Sequence, residues 1–483
     1  MDRLTRRQVL QRAAALSAAS LLPRLPASAA VGADYDVVVI GAGIAGMIAA
    51  RDLSRAGPGL KVLLLEAQDR VGGRLLTLYD DEQGLPSHGV EVGAQMIHGS
   101  NAATWELIRE FELQTRPLAE DLAVKPLWPS RESRVPDAEM LDPIFASIDR
   151  AFSAHAGGDL PFSEFVEGLW LEPADRELVY SESLSWSAEP DRISTRALLQ
   201  DSLAWEEYHD GDFQILGGHG ALVEKLAADL EGRIQTQSEV TQLFWSKGLA
   251  GVGYRYQGVE TSLTCRQLIV TLPVGVLQGG SISVNPALPD THLRAINAME
   301  MGNVVVVPML FSEPFWQDSF AGPGAWTSPA GRYQFWVPHS AGKGGHAVQG
   351  WFEGRAATEL SALGPEAGLA RVIRMLEEAS GAKDLIEKLH WHHIEDWSGN
   401  PYSRGSYSFT RPGGAVLRQA LAEPVGKTLY FAGEATAPAP HFQTVHGAYM
   451  SGKRAARQVM DTLKIEGGAT SEYTEDTPIF DPL

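Results

Sequence analysis

Tyr35 to Arg74 reads YDVVVIGAGIAGMIAARDLSRAGPGLKVLLLEAQDRVGGR. Val37 to Ile40 is a short β-branched apolar run, the pattern of a strand buried in a parallel sheet. Gly41, Gly43 and Gly46 follow as G-x-G-x-x-G. Gly41 permits a tight turn, Gly43 lets a pyrophosphate approach the backbone, and Gly46 lets the next helix pack on the strand. That helix is expected over Ile44 to Ala56, its first N–H groups at Ile44 and Ala45 aimed at phosphate. A second apolar strand, Lys61 to Leu65, ends at Glu66 and Ala67, with Glu66 20 residues after Gly46. A carboxylate there accepts both hydrogen bonds of an adenosine ribose. A lone glycine motif arises by chance in many turns. Strand, glycines, helix, strand and acid in this order specify a dinucleotide site, and an acid argues against a ribose 2′-phosphate.

Arg70, Gly72, Gly73 and Arg74 continue the stretch as D-R-V-G-G-R. This resembles the flavin-dependent amine oxidases, whose dinucleotide is FAD. A second glycine pair with flanking arginines closes over the same pyrophosphate from the other side. The resemblance runs over roughly residues 34 to 463. It implies an α/β fold with a discontinuous Rossmann-like FAD domain at 34–100, 218–290 and 398–463. It also implies an α+β substrate domain at 101–217 and 291–397, with the flavin at the junction.

The 483 residues exceed a single hydrophobic core, so more than one domain is expected. Lys and Arg total 40 against 60 Asp and Glu, a net charge of −20 that disfavours nucleic acid as a partner. Such charge attracts a cationic substrate and equally serves solubility. One cysteine, Cys265, rules out an intramolecular disulfide and reads as an inert core thiol. No metal site is assigned. Thr5-Arg6-Arg7-Gln8-Val9-Leu10, the apolar stretch Ala13 to Leu22 and Ala27-Ser28-Ala29 resemble a twin-arginine export signal over residues 1–30. The alternative is a frayed basic N-terminus. Export would place the protein in a periplasm or outside the cell. No segment is long and apolar enough to span a membrane. The acidic, Gly- and Pro-containing tail, 464–483, is expected to be disordered.

Val90-Glu91-Val92-Gly93-Ala94-Gln95-Met96-Ile97-His98-Gly99 resembles the E-x-G-A-x-x-x-H-G stretch of spermine and plant polyamine oxidases. That resemblance puts Gly93, Ala94, Gln95 and Met96 against the cofactor and His98 beside the substrate. Taken alone, His98 reads equally as a structural histidine. Helical spacing marks Ala102 to Glu112, Ala138 to Phe152 and Pro173 to Trp186, while Trp128, Trp170, Trp186 and Trp205 offer bulk for walls. The run Glu206-Glu207-Tyr208-His209-Asp210 either holds a distal ammonium or is a solvated loop.

Further resemblances complete the cofactor set. Gly217-Gly218-His219-Gly220 opens a helix through Asp229, and Val240 matches the adenine contact. Gln267 to Pro273 matches the strand that hands the chain from one domain to the other. Trp397 and Tyr402, then Gly433-Glu434, then Thr444-Val445 opening a last helix to Leu463, match the remaining contacts. That helix start would face the flavin edge where reduction builds negative charge. Tyr407 matches one wall of the family's aromatic cage, or is a core tyrosine; Thr444 falls on the opposite wall. In mitochondrial monoamine oxidases a cysteine preceding the cage tyrosine bonds the flavin. Ser406 holds that place here, so FAD is expected to be non-covalent. The sequence departs from its relatives at Val306, where they carry a lysine; none occurs between Lys247 and Lys343. The resemblance implies a small-molecule amine as substrate and O2 as electron acceptor. Without the lysine, reaction with O2 is expected to be slow or to depend on His98 or His446, and a different acceptor becomes the alternative.

Overall fold

A computed structural model describes residues 32–465 apart from 80–84, 86–88, 119–122, 127–149, 151–157, 170, 318, 321–323, 329–331 and 338–345. The export-signal reading, the expected tail disorder beyond Ile465, Trp128, Trp170 and nearly all of Ala138–Phe152 lie outside the described residues.

Tyr35–Ile40 and Val62–Leu65 are the two expected strands, parallel in register Val37↔Val62 to Ile40↔Leu65. Between them the helix spans Ile44–Ala56. Val37, Val38 and Val39 are fully buried because the Ile44–Ala56 and Val445–Leu463 helices cover one face of this sheet, and the other packs against residues of the Ser238–Ser246 and Leu249–Tyr256 strands and the Asp290–Asn297 helix. Each buried Val or Ile contributes roughly 1.5–3 kcal/mol, so this short stretch anchors the sheet. The sheet has eight strands, drawn from 35–65, 234–285 and 429–431. Val259–Val270 holds it together. Its first half pairs antiparallel with Leu249–Tyr256, and its second half runs parallel between Tyr35–Ile40 and Leu429–Phe431. Val445–Leu463 packs on Ile44–Ala56, where Gly452 permits contact: a Cβ there would lie 2.4 Å from the Ala45 carbonyl oxygen.

A second, seven-stranded sheet centres on Val304–Phe311, flanked by His346–Glu353 and by Leu389–His392 and Glu395–Asp396. The four valines divide by alternation. Val305 and Val307 enter this sheet's own core; Val304 and Val306 turn the other way, onto Val92 and Trp397. The helix expected over Ala102 to Glu112 is shorter, Trp105–Glu110. Ala102 and Ala103 are buried in the turn that precedes it.

Candidate active site

The dinucleotide end is built by close backbone contact. A Cβ on Gly46 would sit 1.9 Å from the Gly41 carbonyl oxygen, so only glycine lets the helix start there. Gly41 takes φ +97, a left-handed turn. A Cβ on Gly43 would meet nothing within 4 Å, and no side chain caps this helix. An open cradle therefore faces uncapped N–H groups, the arrangement that accepts a phosphate. The second glycine pair backs it: Gly73 lies against Gly43, and Gly72 N–H donates to the Ala42 carbonyl at 2.8 Å. Glu66 is buried, and its oxygens accept the N–H groups of Ala42 at 2.8 Å and Gln68 at 2.9 Å. Burial pushes this carboxyl above its ordinary value, against those two bonds. Glu66 thus shapes the glycine loop as well as offering its remaining lone pairs to a ribose. Val240 lies in the Ser238–Ser246 strand beside it, for Ser238 N–H donates to the Glu66 carbonyl at 2.7 Å. Tyr402 stands at the exposed rim of this end, near Glu66 and Glu239.

Arg74 links the two ends. Its guanidinium donates to the Ser406 carbonyl and to Glu434 Oε1 at 3.2 Å. Glu434 is buried and accepts from Ser408 Oγ at 2.9 Å and Gln443 N–H at 3.1 Å. Gly433, at φ +124, leads into it along a cleft lined by Thr271, Pro273 and Ala432. Gly93 is forced by the Arg74 carbonyl, 2.0 Å from where its Cβ would be, and Ala94 N–H donates to the same oxygen at 3.1 Å. Trp397 is buried, its indole donating to the Val92 carbonyl at 2.8 Å. Thr444 caps the last helix: its oxygen accepts Gly447 N–H at 2.9 Å, and its hydroxyl donates to the His441 carbonyl at 2.6 Å. Its polar group is therefore committed to the helix and its methyl alone is left for a cage wall.

Two clusters stand on the substrate side. In the first, His98 pairs in register with Asp212. His98 Nδ1 lies 2.6 Å and His209 Nε2 2.9 Å from the same Asp212 oxygen. Burial opposes the charge on Asp212, but the bonds from His209 and His98 hold its carboxyl well below the usual range. The Asp212 bond raises His209 in turn. These three side chains form a donor group that could hold a metal ion, here occupied with one another. Trp205 and His209 stack at 5.3 Å, and Tyr208 lies between His441 and His446. His446 is buried, its Nε2 without a hydrogen-bond partner among the described residues, and burial keeps it neutral well below its ordinary pKa. That burial weighs against His446 as the cation that would replace the lysine. The second cluster joins Tyr407, Ser187, Glu353 and Trp351. Gln443 bridges toward it, its side-chain amide donating to the Ser408 carbonyl at 2.7 Å.

Comparison with known proteins fits this geometry. The family model described as flavin containing amine oxidoreductase matches residues 44–460. The chain belongs to this family. It is 30% identical to polyamine oxidase 5 of Oryza sativa subsp. japonica, over 90% of each chain. It is 28% identical to lysine-specific histone demethylase 2 of Homo sapiens, over 88% of this chain and 53% of that one. Against a rice homologue, lysine-specific histone demethylase 1 homolog 2, identity is 29%, over 90% of this chain and 58% of that one. The chain thus spans only somewhat more than half the length of these demethylases. Its fold is that of putrescine oxidase bound to putrescine, with TM-score 0.72 and 21% identity over 88% of this chain and 99% of that one. Cyclohexylamine oxidase from Brevibacterium oxydans matches 89% of this chain and 100% of its own, with 21% identity.

Several participants were invisible in the sequence. Asp212 carries no motif; its alternation opposite His98 emerges only from strand pairing. Arg418, buried 3.8 Å from Glu434 and stacked 3.7 Å over Phe442, lies in a stretch without signal. Ser187, Trp351 and Glu353 likewise come from three unremarked positions.

Proposed function

We propose that this protein oxidises an amine, a polyamine or a related secondary or primary amine, with FAD held non-covalently. The amine loses hydride from the carbon α to nitrogen, water hydrolyses the imine to aldehyde and amine, and O2 is reduced to H2O2. The observation that carries this reading is the seam where Val92, Val304, Val306 and Trp397 form one apolar cluster between the seven-stranded sheet and the strand pair Thr77–Leu78 and Val90–Glu91. FAD, when bound, supplies the hydride acceptor. The glycine loops, Glu66, Arg74 and the starts of the first and last long helices would hold it. The seam keeps water from the reacting carbon, and Tyr407 turns its ring to the amine nitrogen. No side chain need act as acid or base if the amine enters neutral. Cys265, the sole cysteine, is buried in the middle of a sheet and its thiol is pushed up to about 12 by burial, which supports non-covalent FAD. Relatives named polyamine oxidase and the net negative charge support an amine substrate.

Anaerobic mixing of the purified holoenzyme with putrescine, spermidine, spermine and monoamines tests the reading. At least one should bleach the flavin absorption, and acid precipitation should release all yellow colour to the supernatant. No bleaching with any amine overturns it.

Val306 favours a second reading, a dehydrogenase or desaturase using a non-oxygen acceptor. The side chain at the lysine's place is fully buried among apolar neighbours. It offers no charge to stabilise developing superoxide, and an unscreened anion in a dry site is costly. Val306→Lys should then speed reaction with O2 by about tenfold or more. Reaction as fast as in lysine-bearing relatives, with no gain from the substitution, removes this reading. Export by the twin-arginine route completes the proposal, and finding the protein retained in the cytoplasm of its host would refute it.

A further inference from the structure

Glu353 ends the His346–Glu353 strand opposite Val304, on the face it shares with Trp351, which pairs with Val306. It is buried, and among the described residues it forms no ion pair. Its oxygen Oε1 accepts the Trp351 indole N–H at 2.7 Å and lies 3.4 Å from Ser187 Oγ. Ser187 Oγ donates to the Tyr407 oxygen at 2.6 Å, which sets the Tyr407 hydroxyl beside the same carboxyl. Two features converge on this spot, each less stable than a simpler alternative. A buried carboxyl without a cation costs more than an apolar residue of similar size. Ser187 is held at φ 51, a left-handed conformation unfavourable for any residue with a Cβ. Gly302 makes room for it, since a Cβ there would lie 2.6 Å from Ser187 Cβ. Strain and buried charge gathered behind one active-site side chain mark a functional network.

We propose that Glu353 is a positioning residue which, through Tyr407, fixes the cage wall and stabilises the positive charge that builds on the substrate nitrogen. This rests on the amine reading above. In the step concerned the substrate's α C–H bond breaks and its electron pair leaves with hydrogen as hydride to FAD. The nitrogen lone pair becomes the second C–N bond, so a neutral amine becomes an iminium cation. Glu353 exchanges no proton in this step; its charge acts across the tyrosine.

Burial pushes the Glu353 carboxyl up to about 7, against the bonds from Trp351, Ser187 and Tyr407. The charged form therefore grows as pH rises through that value, and flavin reduction should speed with it. Tyr407 is the titratable group in contact; burial and then Glu353 raise its pKa, so it stays neutral. Glu189, next on the same loop as Ser187, is engaged by Arg332 at 3.0 Å and by Arg355. The facing strand contributes only Val304 and Val306.

The test uses the holoenzyme and the amine that reduces it best. Glu353→Gln keeps size and hydrogen bonding but removes the charge. It should slow rapid-mixing flavin reduction about tenfold above neutrality and abolish the rise around pH 7, leaving the separate rise from substrate deprotonation and the FAD content intact. Infrared titration of the same preparations should show a protonated-carboxyl band that disappears near neutrality in wild type and is missing in the variant. Ser187→Ala, which leaves the carboxyl in place, should slow reduction about threefold and shift the rise. Unchanged rates and pH profiles in both variants, or an infrared band unaffected by Glu353→Gln, overturn the proposal. Failure of every amine to reduce the wild-type flavin would sink the amine reading and this role with it. Normal wild-type reduction with an indifferent Glu353→Gln sinks this role alone.

Discussion

Glu66 and Glu353 are both buried carboxyls raised by desolvation, yet they are held in opposite ways. Glu66 accepts backbone N–H groups from Ala42 and Gln68, one on the glycine turn and one two residues on. Glu353 faces side chains, accepting from Trp351 on its own strand and lying 3.4 Å from the hydroxyl of Ser187, more than a hundred positions away. Backbone donors cannot be mutated away or moved by side-chain rotation, so the dinucleotide end is rigid and local. The amine end is a set of movable side chains brought together by packing, which suits a region where substrate preference is tuned.

The largest expected effect lies at the rigid end. Glu66→Ala leaves two buried N–H groups without acceptors and opens the turn over the phosphates. We expect a loss of about 2–3 kcal/mol, or about a hundredfold in FAD affinity, and purification largely as apoprotein. Full occupancy at micromolar protein would show the loop to be held by other contacts and would weaken the contrast. At the movable end, His98→Ala should lower kcat/KM on the best amine by about tenfold, about 1.4 kcal/mol, with the flavin spectrum unchanged. An unchanged kcat/KM would return His98 to a structural role beside Asp212.

The smallest effect is a pH dependence of stability in the His98–Asp212–His209 group. Asp212 is depressed, so its contribution is present above its unfolded value of 3.8 and lost as pH falls through its lower folded value. His209 is raised, so its contribution is present below its unfolded value of 6.5 and lost as pH rises through its higher folded value. The group is therefore most stabilising between those two unfolded values. Asp212→Asn should lower Tm by a few degrees at about pH 5.5 and by less at about pH 9. An equal loss at both pH values would show that packing, not charge, holds the group.

What was legible followed the range of the interactions. The Ile44–Ala56 helix, the strands around it, the Gly218–Asp229 helix and the last helix to Leu463 match their sequence expectations, since each depends on local signals, a glycine turn or cap at its start and apolar spacing within it. The shortened Trp105–Glu110 helix departs because Ala102 and Ala103 are drawn into the core beside the dinucleotide sheet. Thr444 matched a cage wall by position, yet its hydroxyl serves the helix cap, an assignment that needs the backbone direction.

The sequence by itself determined the dinucleotide site, because its turn, helix start and acceptor lie within forty consecutive residues and each is dictated by backbone sterics. It also determined that no lysine lies between Lys247 and Lys343, the stretch that holds Val306. Only the tertiary structure decided which faces the four valines turn, that one Asp212 oxygen serves two histidines, and that His446 is buried. It alone placed a carboxyl behind Tyr407. Each of these depends on strand register and on burial, and both are set by contacts between residues far apart in the chain.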